Sequence, residues 1–356
     1  MRFHEAILQK RIALYEKGFF KTFSLGAFAV SVGNLTVGGT GKTPLVAFVA
    51  EILAGRGEKV CVISRGYKRE NPKSRVHVSD GKNVLADAKL AGDEPVELAR
   101  KLLGKAVVIA DADRVRAGNW AREKFGVTAF VLDDAFQHLR AKRDLDVVTI
   151  DATNPFGNRK LLPFGILREP LQNLKRADAI VVTRANLVET IEDLTFEIRK
   201  YNAACPIFTS ENKISNLVKL EEFTVNNNDS ENLKNLQTAQ TAKDKGQRTK
   251  DKFSAFCGLG NPRGFFEQLR QENFDLISTE TFPDHYFYKQ TDVEKLEKAA
   301  RSAGAKTLLT TVKDAVKLQN LKFNLPCFVA ESEIVFAPDA DFSGWLISKL
   351  EDSRQT

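Results

Sequence analysis

Through the first two thirds of the chain, runs that are apolar at nearly every position alternate with stretches of helical periodicity. The runs are residues 27–32, 60–63, 106–110, 128–132, 145–150 and 179–183. Unbroken apolar runs suit strands covered by helices on both faces, and strand–helix alternation joins such strands in parallel. The pattern predicts an α/β fold with a doubly wound, mainly parallel sheet, whose ligands gather at the carboxyl ends of the strands. Between residues 226 and 252 the composition turns to Asn, Asp, Gln, Lys, Ser and Thr, which cannot offset the entropy of ordering a chain and predicts a flexible insertion. After it, candidate strands at 253–257, 274–278, 307–310 and 327–330 predict a second, smaller α/β domain. The expected division is an N-terminal amphipathic helix at 1–22, a large domain at 23–212, linker strands and the insertion at 213–252, and the smaller domain at 253–356.

In the first of these segments Phe3, Ile7, Leu8, Ile12, Leu14, Tyr15, Phe19, Phe20 and Phe23 are threaded by Arg2, Lys10, Arg11, Lys17 and Lys21. This suits a helix lying in a membrane interface and equally a helix packed on its own domain. Hydrophobic residues at 43% and charged ones at 28% are ordinary for soluble proteins, and no window nears the ~18 apolar residues of a spanning helix. The four cysteines are far apart with no C-x-x-C pair, which argues against a disulfide framework or zinc site and suits a reducing cytoplasm. Charges interrupt the apolar residues at the N-terminus, so no cleavable signal is expected. The net charge of +7 favours an anionic partner, but no dense basic run with interleaved aromatics marks a nucleic-acid surface, and none is expected to bind.

The strongest local signal is Gly38-Gly39-Thr40-Gly41-Lys42-Thr43, directly after an apolar strand and before the helical run 45–53. Glycines let backbone N–H groups curl round phosphates, the helix N-terminus adds partial positive charge, Lys42 reaches the terminal phosphates and the Thr43 hydroxyl suits Mg²⁺. Thr36 stands where the P-loop pattern has its first glycine, so the loop runs through Thr36 and Val37. The strand at 128–132 ends in Asp133 and Asp134, a carboxylate pair placed to hold the metal. Gln137 and His138 follow on the same turn, either to orient water or phosphate or to serve the fold. A partner-switching ATPase of the Min or Par type would carry lysine in place of Val37, and a GTPase would show N-K-x-D where Thr183, Arg184, Ala185 and Asn186 stand.

Further segments match one family together: Gly33-Asn34 through Thr43-Pro44, Ser64-Arg65-Gly66-Tyr67, Gly92-Asp93-Glu94-Pro95, Asp133-Asp134-Ala135-Phe136-Gln137-His138, Leu162-Pro163 through Leu167-Arg168-Glu169-Pro170, and Phe282-Pro283-Asp284-His285. In this order the chain resembles the tetraacyldisaccharide 4'-kinases of lipid A biosynthesis. It departs from them at Ala135, where glycine is usual, at Val312, where glutamate is common, and in the polar insertion.

The resemblance implies a P-loop kinase of two α/β domains joined by a strand hinge, peripheral to the cytoplasmic face of the bacterial inner membrane. It implies transfer of the γ-phosphate of ATP to the 4'-hydroxyl of an acylated glucosamine disaccharide 1-phosphate, with Mg²⁺. Lys42 is then assigned to the β- and γ-phosphates, Thr43, Asp133, Asp134 and Glu169 to the metal, and Arg168 and Arg114 to phosphate charge. Arg168 and Glu169 also read as an exposed ion pair. For the acceptor hydroxyl the resemblance points to Asp93 as base with His285 from the second domain as its partner, whereas the local sequence reads Asp93 as a helix N-cap. Ser64, Arg65 and Tyr67 are expected on the acceptor side, and a monomer is expected. A P-loop regulatory ATPase or metallochaperone is the alternative, one that hydrolyses ATP without a lipid acceptor.

Overall fold

The computed structural model describes residues 2–225 and 252–355. The segment expected as a flexible insertion therefore lies outside the described residues, except for Lys252. Twelve strands form one sheet among these residues. They are β1 (Phe28–Gly33), β2 (Val60–Ser64), β3 (Val76–Ser79), β4 (Ala106–Ala110), β5 (Ala129–Asp133), β6 (Leu145–Asp151), β7 (Ala179–Thr183), β8 (Ile207–Lys219), β9 (Lys252–Cys257), β10 (Asp275–Thr281), β11 (Thr307–Thr311) and β12 (Cys327–Phe336). Their spatial order is β10-β9-β11-β12-β8-β7-β6-β1-β5-β2-β4-β3, with only the β3–β4 and β8–β12 pairs antiparallel.

The apolar runs became β1, β2, β4, β5, β6 and β7, and every residue of these strands is buried. Two strands carried no such run. β3 is a short edge strand, and β8 alternates buried with accessible positions because only part of it is covered.

β8 determines how the two halves meet. Its first residues, Ile207–Thr209, pair in parallel with β7, while Ser210–Lys219 pair antiparallel with β12. β9, β10 and β11 run parallel to β12, so the second set of strands points opposite to the first. Because β8 carries the chain past the carboxyl end of the first set before β12 turns back, the carboxyl ends of both sets face each other across a cleft. The expected boundary at residue 212 falls within β8. Phe208, Phe336 and Phe342 pack where this ribbon meets the C-terminal helix Phe342–Gln355, with Phe336 and Phe342 stacked 4.8 Å apart. Phe48, from the helix Lys42–Gly55, lies 5.2 Å from Phe336 and ties the ribbon to the element that follows the glycine loop.

The N-terminal helix spans Arg2–Glu16, shorter than the expected 1–22. Ile12 is buried, Leu8 packs against the cluster of Phe156, Leu161 and Leu167, and Gln9 donates to Asn173 (3.1 Å). Gly18, at φ 74°, turns the chain after the helix, and Phe19, Phe20 and Phe23 stand exposed beyond it.

At the end of β1, Gly33 faces the turn after β5 so closely that a Cβ would lie 2.6 Å from Phe136 Cβ and 2.8 Å from its backbone nitrogen. Backbone on both sides leaves no room to yield. Gly33→Ala is expected to lower unfolding free energy by about 1–3 kcal/mol, measured by urea denaturation, because overpacking must shift two strand ends. An unchanged midpoint would show that the two ends are free to separate.

Candidate active site

The glycine loop leaves β1 at Gly33 and enters the helix Lys42–Gly55 through Gly41. Gly38 (φ 110°) and Gly41 (φ 76°) adopt left-handed backbone that a side chain would strain. Thr36 is absent from that region; it bridges to Leu167, and Val37 N–H donates to Ile166 O (2.8 Å), which explains why the pattern's first glycine is dispensable here. Threonines brace the loop. Asn34 donates to Thr40 Oγ1 (3.0 Å), Thr40 and Thr149 share a hydroxyl hydrogen bond (2.8 Å), and Thr183 Oγ1 donates to Thr40 O (3.0 Å). No side chain caps the helix that follows, so its first N–H groups are free to meet an anion.

Asp133 ends β5 and accepts from Ser64 Oγ at the end of β2 (2.7 Å). Asp134, at φ 49°, accepts twice from Arg168 Nη1 (2.8 and 2.7 Å) and lies 3.6 Å from Lys42 Nζ. The environments of these neighbouring acids push them apart. Burial, with Glu94 and Asp134 nearby, raises the Asp133 carboxyl to about 7. Burial also works against ionised Asp134, but Lys42 and Arg168 outweigh it and hold that carboxyl at about 2. Two neighbouring acids, one of them pushed up by burial, stand near the uncapped amides, and the Thr43 hydroxyl lies on the first turn of that helix; hard oxygen donors of this kind fit a divalent cation.

Across the cleft, His285 Nδ1 lies 2.8 and 2.9 Å from the two Asp93 carboxylate oxygens. Asp93 is the first residue of the helix Asp93–Lys101, and the N-cap is Gly92, not Asp93. Gly92 is needed because its φ is 95° and a Cβ would come 3.1 Å from both Gly66 Cα and Tyr67 O. With the N-cap position filled by glycine, the aspartate side chain is free to face the second set of strands. Burial acts to raise the Asp93 pKa, yet His285, Lys313 and Lys317 overcome it and keep the carboxyl well below the usual carboxylate range. Lys313 bridges Glu94 (3.2 Å) and Asp284 (3.0 Å), and Lys317 lies 3.3 Å from Asp93. A cavity of about 540 Å³ lies between the halves, lined by the glycine loop, Glu94, Asp284 and Lys313.

The model of the family described as tetraacyldisaccharide-1-P 4'-kinase matches residues 2–351. The chain belongs to this family. A tetraacyldisaccharide 4'-kinase of Geobacter metallireducens is 41% identical over 308 residues, covering 86% of this chain and 83% of the relative. One of Halothermothrix orenii is 38% identical over 314 residues, covering 87% and 79%. Among solved structures, LpxK from Aquifex aeolicus in complex with ATP superposes with a TM-score of 0.72 at 31% identity, covering 98% of this chain and 96% of that one. Membership in the tetraacyldisaccharide-1-P 4'-kinase family does not favour the regulatory ATPase or metallochaperone alternative.

In this member of the kinase family the remaining residues expected at the site have the following partners. Glu169 accepts from Arg176 Nη2 (2.6 Å) and Asn173 Nδ2 (2.8 Å) and is buried. Among the described residues no three His, Cys, Asp or Glu side chains converge to hold a metal. The acids expected as ligands accept from neighbouring side chains: Asp133 from Ser64, Asp134 from Arg168 and Glu169 from Arg176. Arg114 is buried behind the acids, donating to the carbonyls of Asp111, Ala112 and Asp133 (3.1–3.3 Å), and its pKa is lowered to about 10, chiefly by burial. Gln137 donates to Asn34 O (2.9 Å) and steadies the loop. Burial, Arg114 and Arg143 lower the His138 pKa to about 4, which keeps that ring neutral near pH 7. Tyr67 lies beside His285, ring centroids 5.1 Å apart, and Arg65 is exposed.

Sequence reasoning missed Lys313, Lys317, Arg184 and Gly260. Arg184 donates to Gly39 O (2.9 Å) while paired with Asp151, and a Cβ on Gly260 would lie 2.6 Å from Gly39 N. The available signal was the spacing of Lys313 and Lys317, one helical turn apart directly after a strand.

The Asp134 pairing predicts a pH dependence. A carboxyl held at about 2 contributes stability that is present above the ordinary carboxylate value near ~3.9 and lost as the pH falls towards 2. Arg168→Gln should therefore unfold about 1–2 kcal/mol more easily at pH 7, with the difference from wild type shrinking at pH 3. Urea midpoints at both pH values check this, and a pH-independent difference would mean that Arg168 acts by packing.

Proposed function

We propose that this chain transfers the γ-phosphoryl group of ATP to the 4'-hydroxyl of a tetraacylated glucosamine disaccharide 1-phosphate, with Asp93 as general base. The observation that carries this reading is the His285–Asp93 contact at 2.8 Å, made across the cleft whose cavity is lined by the glycine loop. Residues adjoining this pair, Glu94 and Asp284, line the same cavity as Lys42 and Thr43. In this reading the phosphate donor and the acceptor-side base meet in one space between the two sets of strand ends.

In this reading the uncapped amides of the loop and helix hold the phosphates, and Lys42 leaves Asp134 to meet the transferring group. Thr43 and Asp133 would hold Mg²⁺, with Asp134 beside them; the ion, when bound, withdraws charge from the phosphate oxygens. Asp93 takes the proton as the acceptor oxygen forms its bond to phosphorus and the bond to the ADP oxygen breaks. His285 Nδ1 holds the carboxylate in line, and its ring can take up the positive charge if the proton passes on. Phosphoryl transfer asks mostly for positioning and charge neutralisation, which this arrangement supplies.

The acceptor's acyl chains belong in a bilayer, and no helix among the described residues is long and apolar enough to cross one. The exposed Phe19 (74%) and Phe20 (45%), flanked by Lys17 and Lys21, suit contact with an anionic surface, which we take to be the cytoplasmic face of the inner membrane.

Incubation with γ-labelled ATP and the disaccharide 1-phosphate in mixed micelles should place label in the lipid. ATP hydrolysis without labelled lipid would reject the assignment. Lys42→Ala should lower kcat by about 10²–10³ while the thermal transition stays. Asp93→Ala and His285→Ala should each lower kcat by about 10²–10⁴ with little change in KM for ATP, and the double variant should resemble the poorer single one. Additive losses would separate the two roles. Replacing both Phe19 and Phe20 by Ser should reduce sedimentation with anionic liposomes and leave the melting temperature alone; undiminished sedimentation would place the membrane contact elsewhere.

A further inference from the structure

Lys317 has a side chain with no solvent exposure, and its ammonium lies between carboxylates from the two sides of the cleft. Nζ is 3.3 Å from Asp93 Oδ2 and 3.2 Å from Asp314 Oδ1. Burying a lysine is costly unless it is paired, and here one cation serves two acids. Asp314 is itself fully buried. It accepts from Tyr288 OH (2.9 Å), Thr311 Oγ1 (2.7 Å) and the backbone N–H of Gly258 (3.0 Å). Gly258 opens the loop that follows β9, and two residues on, Gly260 is pressed against the glycine loop, where a Cβ would come 2.6 Å from Gly39 N and 2.9 Å from Gly38 Cα. A continuous set of contacts therefore runs from Asp93 through Lys317 and Asp314 to the loop that sits on the phosphate-binding backbone.

We propose that Lys317 is a positioning residue that couples the alignment of Asp93 to the seating of the Gly258–Asn261 loop on the glycine loop. The inference rests on Asp93 being the base. It goes further in making the proton acceptor depend on the loop that closes over the phosphate site, so that an unseated loop leaves Asp93 misaligned. Asp93 is faced by His285 from the loop after β10, by Lys313 and Lys317 from the segment after β11, and by Glu94 and Glu97 on its own helix. Lys317 alone among these cations also holds Asp314.

The test compares Lys317→Met, Lys317→Met/Asp314→Asn and Asp93→Asn with the wild type. Lys317→Met should lower kcat more than ~10-fold with KM for ATP within ~3-fold, and should move the acid limb of the kcat–pH profile upwards by about one unit, since a cation stabilising the carboxylate is gone. Amide exchange should quicken at residues 258–261 and 38–41 and stay unchanged in β1 and β5, a pattern that general destabilisation would not produce. If Lys317→Met does not fold, the double variant, which removes both buried charges, carries the same comparison and should stay slow. A wild-type kcat and pH profile in Lys317→Met, or recovery of wild-type kcat in the double variant, overturns the proposal. An inactive Asp93→Asn beside a normal Lys317→Met rejects this inference and leaves the base assignment standing. An active Asp93→Asn rejects the base assignment and this inference with it.

Discussion

The site depends on the path of β8. This strand begins as the continuation of one parallel set and ends as the antiparallel partner of another, so two sets of strands that point in opposite directions present their carboxyl ends to the same cleft. Ligand-binding loops in open α/β sheets collect at carboxyl ends because connections and helix N-termini gather there. Here one strand brings two such ends together, one carrying the glycine loop, Asp133 and Asp93, the other carrying Gly260, His285 and Lys313. The aromatic packing of Phe48, Phe208, Phe336 and Phe342 anchors that ribbon to the helix that follows the glycine loop.

A cleft lined by acids from both sides would repel itself, and the structure answers with a cation for nearly every buried acid. Lys42 and Arg168 attend Asp134, Lys313 joins Glu94 to Asp284, and Lys317 joins Asp93 to Asp314. Two of these bridges cross the cleft, so electrostatic satisfaction and closure are one condition. Desolvating such pairs costs several kcal/mol per ion, and only good geometry on both sides repays it. Asp133 and Glu97 are exceptions, each pushed up to about 7 by burial with acids nearby, and at Asp133 the Ser64 hydroxyl and Lys42 only partly offset that. An acid left short of positive charge beside free amides is placed for ligands that bring their own cation, as a nucleotide does.

The phosphate-binding half was legible along the chain because its determinants are local. Unbroken apolar runs mean covered strands, and Gly38 to Thr43 between such a run and a helical pattern means an anion-binding turn. Asp133 at a strand end was legible for the same reason. The membership of Asp93 and His285 in one site rested on resemblance, since 192 residues separate them and nothing in local periodicity relates them.

Sequence by itself therefore determined the parallel sheet, the glycine loop, the acids beside it and the family, all of which are written in residues close to one another in the chain. Tertiary structure decided the rest: that the linker strand β8 starts at Ile207 and pairs in parallel with one set and antiparallel with the other; that Glu169 is held by Arg176; that Gly92, and not Asp93, caps its helix; and that Lys313 and Lys317 bind acids across the cleft. The physical reason is that a strand's propensity is set largely by what covers it, and a charge's role by which opposite charge the fold places within a few ångströms, and both are known only once distant segments have met.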